Sequence, residues 1–291
     1  MAGETMGVVE FGRALVKTQD LDPVYVAIWG AKLPEPQLCR LLLAYWCFYH
    51  LGAAAWLSQW EGEEFWTFMG VAAINNRREG RPCDMPCPMQ FDAWPRAAER
   101  RHFRGQKCVT AVAWLRDQCP GDPQSGHGPE EWVRMLSCSP LTERAIMDTV
   151  QGWPMFGPWI AFKVADMMER VYGAQVRFDP DLGLMYEEPR RALDLLAVGM
   201  GPGEPPIPGV APGQRWWYAY LGAQLRGLAA PPAHDRPCGP QEVETVLCKW
   251  KSHANGHYWV GKDTHEVRHG LRGWGDTAER LLAACPREVA R

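Results

Sequence analysis

The sequence predicts a mostly α-helical protein, one compact body of helices joined by long loops rich in proline and glycine. Three observations carry this. Successive stretches place apolar residues at the spacing of a single helical face. No run alternates apolar and polar residues as a half-buried strand would. The loops announce themselves as REGRPCDMPCP, DQCPGDPQSGHGP, GMGPGEPPIPGVAPGQ and AAPPAHDRPCGP.

Taken in order, DPVYVAIWGAK reads as the first clear helix. PEPQLCRLLLAYWCFYHLGAAAWL follows as a long buried one, and EGEEFWTFMGVAAINN as a third. Within the second, residues 41–57 contain no Asp, Glu, Lys or Arg. That span is short for a bilayer, which needs about 20 apolar residues, and His50 sits near its middle. A central core helix is expected, and no membrane partner. The MAGETMGVVEFG start has no basic flank before an apolar run, so no leader is expected. Ten scattered cysteines then read as free thiols in a reducing compartment. Cys83 and Cys87 form a close pair, yet no matching second pair completes a metal site, and no metal is expected.

The next segment, WPRAAERRHFRGQK at residues 94–107, gathers Arg96, Arg100, Arg101, Arg104 and Lys107 around His102, with Glu99 its only acid. The whole chain carries a net charge of −3, so this cationic focus is local. Unpaired arginines repel one another. Their planar forks suit a phosphate, and the imidazole can hand it a proton. If ERRHFRG starts or ends a helix, Arg100 and Arg104 share a face that Arg101 does not.

Residues 150–183, VQGWPMFGPWIAFKVADMMERVYGAQVRFDPDLG, form a loop closing into a helix at Gly157–Pro158. An apolar stripe follows, Gly173 ends the helix, and Asp179 and Asp181 come after a short extended piece. QRWWYAYLGAQLRGL is a further helix whose aromatics ask for burial. TVLCKWKSHANGHYWVGKDTHEVRHGLRGW, toward the C-terminus, holds four of the chain's eight histidines and a second cluster of cations.

The order from residue 150 resembles the helix-hairpin-helix DNA glycosylase superfamily, and implies a glycosylase-like helical fold that spans residues 1–291 as one domain. Trp153, Pro154, Phe156, Gly157 and Ala161 stand where that family has Leu, Pro, Val, the second Gly and Ala. Asp179 stands close to its catalytic Asp, after a two-residue insertion. Met155 replaces the first hairpin glycine, and Trp159 replaces the lysine that bifunctional members use, so lyase chemistry is not implied. With DPVYVAI, LLAYWCFYHLGAAAWL, WPRAAERRHFRG and ETVLCKWKSHANGHYWVGKD added, the chain resembles the phage amino acid:DNA transferases, also called α-glutamyl/putrescinyl thymine pyrophosphorylases.

That resemblance implies double-stranded DNA as partner, with a thymine whose 5-methyl carries a phosphate or pyrophosphate. It implies a small amine or amino acid, glycine favoured, as the second substrate, and the cytoplasm of an infected bacterium as the place of action. Base flipping would set the reacting carbon in a pocket. Arg100, Arg101, Arg104, Lys249 and Lys251 would hold the leaving group, and His102 would protonate it. Asp179, Glu244, His253 and Asp263 are the candidates to receive the amine proton. Lys262, Arg268, His257 and Tyr258, in an extension over about residues 240–285, would recognise an amino acid. Trp153, Met155, Gly157, Lys163 and Lys107 would contact DNA, with Trp153, Tyr49 and Trp56 as stacking candidates. No glycine-rich nucleotide loop is present, so no ATP and no cofactor are expected. A monofunctional DNA glycosylase and a non-catalytic DNA-binding module are the competing readings.

Overall fold

A computed structural model describes residues 6–77, 86–90, 93–120, 128–138, 141–198 and 212–289. Its elements are α1 (Val8–Thr18), α2 (Pro23–Ala31), α3 (Glu35–Phe48), α4 (Leu51–Leu57), α5 (Gly62–Arg77), α6 (Gly105–Asp117), α7 (Glu130–Leu136), α8 (Glu143–Gln151) and α9 (Pro158–Met167). These are followed by α10 (Leu182–Met185), α11 (Glu187–Ala197), α12 (Pro212–Leu225), α13 (Pro240–Ala254), α14 (Lys262–Leu271) and α15 (Asp276–Ala284). Two strands of two residues, β1 (Leu141–Thr142) and β2 (Val176–Arg177), pair in parallel. The fold is mostly helical, as the periodicity predicts. Among the described residues no helix is long and apolar enough to cross a membrane.

Contacts divide the chain into two compact units. One comprises Met1–Val26, Phe178–Glu266 and Pro286–Arg291, and the other Ala27–Arg177 and Val267–Cys285. The second unit is built on α3, in which every residue from Cys39 to Phe48 is buried. A helix apolar all round belongs in a core. Its one buried cation, Arg40, donates to the Ser58 carbonyl at 3.0 Å and pairs with Glu130 and Glu61, which offsets its desolvation.

The long buried helix predicted through residue 57 is two helices. Tyr49 turns left-handed at φ 54°, and His50 then caps α4 by accepting the Ala53 amide at 3.1 Å. The side-chain cap and the tertiary packing override a continuous apolar pattern that contains no proline at the break. Gly52 lies so close to the Gly270 carbonyl and the Trp274 ring that a Cβ would meet both at 2.3 Å, so glycine is required there.

The first unit packs α1, α10, α11 and α12 around α13. Phe11, Leu15, Leu193, Leu221, Leu225, Val246 and Leu247 form its core, each fully buried. The stripe of α1, with Phe11, Leu15 and Val16 on one face, shows how an amphipathic helix supplies such a core. α13 begins at Gly239–Pro240. There Glu242, completely buried, accepts the Gly239 amide at 2.6 Å and a two-point grip from Arg236 at 3.0 and 3.1 Å.

Candidate functional site

The loop closing into a helix at Gly157–Pro158 forms as the sequence predicts. α8 ends at Gln151, the chain turns through Trp153–Phe156, and Gly157–Pro158 opens α9, where proline lacks only an amide that would go unused in the helix. Gly173 closes the helical stretch at φ 88°, after a π-helical turn at Met168–Tyr172. Met155 takes the left-handed conformation, φ 68°, that favours glycine, so the substitution leaves the turn geometry in place.

This turn and the Arg-rich segment line one open cleft of about 670 Å³. Its walls are Glu99, Arg100, His102, Phe103 and residues 151–160. The volume lies in the range of small-molecule sites. Of the predicted residues, His102, Arg100, Trp153, Met155 and Gly157 meet here.

Arg100 is the centre of the arrangement. Only 6% exposed, it donates from Nε to the Cys47 carbonyl and from Nη1 to the Met155 carbonyl, each at 3.0 Å. Its guanidinium lies over Phe103 and Phe156, 4.5 and 4.8 Å from the ring centres. Burial pulls its pKa down to about 10, which leaves it charged at neutral pH. Nη2 is buried and bonds to no described residue, so one cationic donor of this cleft-lining side chain is unspent. Behind it, Trp132, Trp153 and Phe156 meet edge to face at 4.7 and 5.2 Å, and Phe103 meets Phe156 at 6.2 Å. This aromatic wall gives the turn a rigid backing.

The other basic residues behave differently from one another. Arg100 ends a single 3-10 turn at Ala98–Arg100, and Arg104 N-caps α6, so the expected helical face shared by Arg100 and Arg104 does not form. The carbonyl of Phe103 is held by Asn76 Nδ2 at 2.6 Å, and Asn76 Oδ1 accepts from Arg96 at 2.8 Å, which fixes the segment as a turn. Arg101, Arg104 and Lys107 are exposed. Lys163, expected on the DNA, is only 8% exposed within α9, where its ammonium stands 4.8 Å from the Phe162 ring. Trp153 and Trp56, at 3% and 4% exposure, are packed core rings, and Tyr49 meets Trp159 edge-on at 5.1 Å. Arg268 Nη1 reaches the carbonyls of Leu282 and Cys285 at 3.4 and 3.5 Å, engaged with the end of α15.

In the first unit a second group assembles around a residue the sequence reading missed. Asp20 has no exposed surface and accepts four bonds: Tyr258 Oη at 2.7 Å, the Gly261 amide at 2.6 Å, the Thr264 amide at 2.8 Å and Thr264 Oγ1 at 2.7 Å. Its carbonyl takes Lys249 Nζ at 2.6 Å, and Lys249 also pairs with Asp263 at 2.6 Å. Burial, together with the Asp263 and Asp20 charges, pushes the Tyr258 phenol far above its ordinary range, so it stays a donor. His253 stacks on Phe11 at 4.7 Å, and its Nδ1 lies 2.8 Å from the Tyr258 carbonyl. That carbonyl can only accept, so Nδ1 carries a proton, and the buried Nε2 has no hydrogen-bond partner among the described residues. Lys262 approaches Tyr258 and Trp259 at 5.9 Å from each ring. Thus Lys249, His253, Tyr258, Lys262 and Asp263 come together.

The remaining candidates stand elsewhere in that unit. Lys251 pairs with Glu188, and His257 is exposed. Glu244 is buried and accepts from Cys248 and Thr245 at 3.2 and 3.3 Å. Asp179 is exposed and accepts the Asp181 amide at 2.8 Å, a local turn before α10. Burial, with the charges of Asp181, Glu244 and Asp179 adding to it, raises the Tyr218 phenol.

Cys83 lies outside the described residues, while Cys87 donates to the Met89 carbonyl at 3.0 Å. Among the described residues no three His, Cys, Asp or Glu side chains gather as a metal site.

The comparisons with known proteins point one way. A family model described as amino acid:DNA transferase matches residues 16–257. A glycinyltransferase of Pseudomonas phage PaMx11 is 38% identical across 97% of each chain. A putrescinyltransferase of Delftia phage PhiW-14 is 28% identical over 97% of this chain and 84% of its own.

Proposed function

The chain belongs to the amino acid:DNA transferase family, and from that premise we propose that it joins glycine, through its α-amino group, to a thymine of double-stranded DNA. The amine nitrogen attacks the 5-methylene of a 5-phosphomethyl- or 5-pyrophosphomethyl-uracil. The C–O bond to the phosphate breaks, phosphate or pyrophosphate leaves with the bonding pair, and the ammonium proton passes to a base. The product is N-α-glycinylthymidine. The reaction takes place in the cytoplasm of an infected bacterium, where a phage enzyme meets phage DNA.

The observation that carries this reading is the cleft shared by Arg100, His102 and the turn at 153–157. A base turned out of the duplex fits a space of that volume. The buried guanidinium of Arg100, a side chain of the cleft wall, offers a preorganised positive charge to the departing anion. His102, exposed at the cleft wall, is the acid that protonates it. Arg101, Arg104 and Lys107, all exposed, serve the DNA backbone. Glycine is preferred to putrescine because the more similar of the two relatives is the glycinyltransferase.

The test is nucleoside mass spectrometry. DNA carrying 5-phosphomethyl- or 5-pyrophosphomethyl-uracil is incubated with the chain and either glycine or putrescine. A nucleoside with its deoxyribose intact and a glycinyl group added, with release of phosphate or pyrophosphate, is expected. Free base with an abasic site, or no mass change with any amine, overturns the proposal.

A further inference from the structure

The aromatic helix predicted to bury its rings does so only in part. Tyr218 is buried at 6% exposure, yet Trp216 is 50% exposed and Tyr220 is 37% exposed. The two exposed rings are one helical turn apart and lie parallel, 7° between planes and 5.0 Å between centres. Trp217 meets both edge-on, at 5.1 and 5.7 Å, and fixes their orientation. Its own Nε1 is buried with no hydrogen-bond partner among the described residues.

A single exposed aromatic needs no explanation, but a preoriented pair does. The other exposed tryptophans are differently placed: Trp29 has the Lys32 ammonium 3.2 Å above its ring, and Trp259 has Lys262 near it. The exposed positions of α12 that surround the pair are Arg215, Ala219 and Ala223, with Arg226 just beyond its end. Among the described residues 213–226 the exposed side chains include two cations, Arg215 and Arg226, and no carboxylate. Parallel exposed rings on a helix whose exposed charged residues are arginines match one ligand chemistry above others, a stacked base on a polyanionic strand.

We propose that this face of α12 is a stacking platform for an unpaired nucleobase of the DNA substrate, with Arg215 and Arg226 on the flanking phosphates. The inference rests on DNA being the substrate and assigns a contact surface apart from the cleft residues.

The experiment titrates the full chain into a fluorescein-labelled thymine-containing single strand and into the same sequence as a duplex, read by anisotropy. Replacing both rings, Trp216→Ala with Tyr220→Ala, is expected to weaken single-strand binding by roughly tenfold or more, and duplex binding less. Trp216→Phe with Tyr220→Phe, which keeps flat rings, restores most of the affinity. If the alanine pair fails to fold, Arg215→Glu decides, since it leaves both rings and must still weaken binding. Unchanged affinity in the folded ring variant, with or without a change in sedimentation that would assign the face to a second copy of the chain, overturns the inference. Failure of the unaltered chain to bind either DNA would instead remove the proposed function itself.

Discussion

Arg100 donates from Nη1 to the carbonyl of Met155 at 3.0 Å, so the buried guanidinium holds the one residue of the turn that is forced left-handed. A non-glycine residue in that conformation costs about 1–2 kcal/mol unless its surroundings hold it there. The same guanidinium takes the Cys47 carbonyl in the last turn of α3. The cleft wall is therefore tied to the buried C-terminal part of α3 through one side chain. Positioning and the proposed anion binding meet in Arg100.

Arg100→Met should show both. The thioether keeps the aliphatic stem between Phe103 and Phe156 but leaves two buried carbonyls without donors. A loss of about 3 kcal/mol in unfolding free energy is expected, measured by urea titration. The turn should also loosen, read as faster proteolysis around residues 152–158.

His102 and Arg101 are neighbours in sequence with separate expected phenotypes. His102 lines the cleft and Arg101 does not. His102→Ala should lower kcat about a hundredfold with little change in DNA affinity. Arg101→Ala should weaken DNA binding and reduce the salt slope by about one, with kcat nearly intact. Equal losses of kcat in both variants would contradict this division.

How far the sequence disclosed all this follows from the range of each interaction. The α9 start at Gly157–Pro158 and the end of the helical stretch at Gly173 are local chemistry, and both were legible. The break at Tyr49–His50 was not, because no proline or glycine marks it and a histidine cap does the work. The composition of ERRHFRG leaves open whether it starts or ends a helix, and bonds from Asn76 to Phe103 O and from Arg100 to Cys47 O hold it as a turn. Lys163 and Trp153 were assigned to DNA by motif position, a criterion blind to burial. Asp20 gave no signal, since TQDLDP looks like any turn and its partners lie 238 to 244 residues along the chain. The exposed pair on α12 was hidden by the assumption that aromatic rings go inside.

Asp20 is expected to be the anchor of the 258–264 segment. Asp20→Ala strands the Tyr258 hydroxyl, two amides and the Thr264 hydroxyl in a site with no exposed surface. The loss should be at least about 3 kcal/mol by urea unfolding, since each orphaned buried donor costs about 1–3 kcal/mol. Asp20→Asn retains one acceptor oxygen and should lose less. Equal stability of the alanine variant and the unaltered chain would show that the network carries no net stabilisation.

His50 gives the chain a defined sensitivity to acid. Burial pulls its imidazole pKa down to about 4, and its Nδ1 lone pair is committed to the Ala53 amide. An unfolded histidine titrates near about 6.5, so between those two values the unfolded chain binds the extra proton. Stability from this group is complete above about pH 6.5 and is lost progressively as the pH falls toward about 4. From about pH 7 to about pH 5 the change should be about 2 kcal/mol, measured as a shift in urea midpoint. His50→Asn keeps a cap-competent side chain but removes the titration, so its midpoint should fall less over the same interval. A parallel fall in the variant would assign the acid sensitivity to other groups.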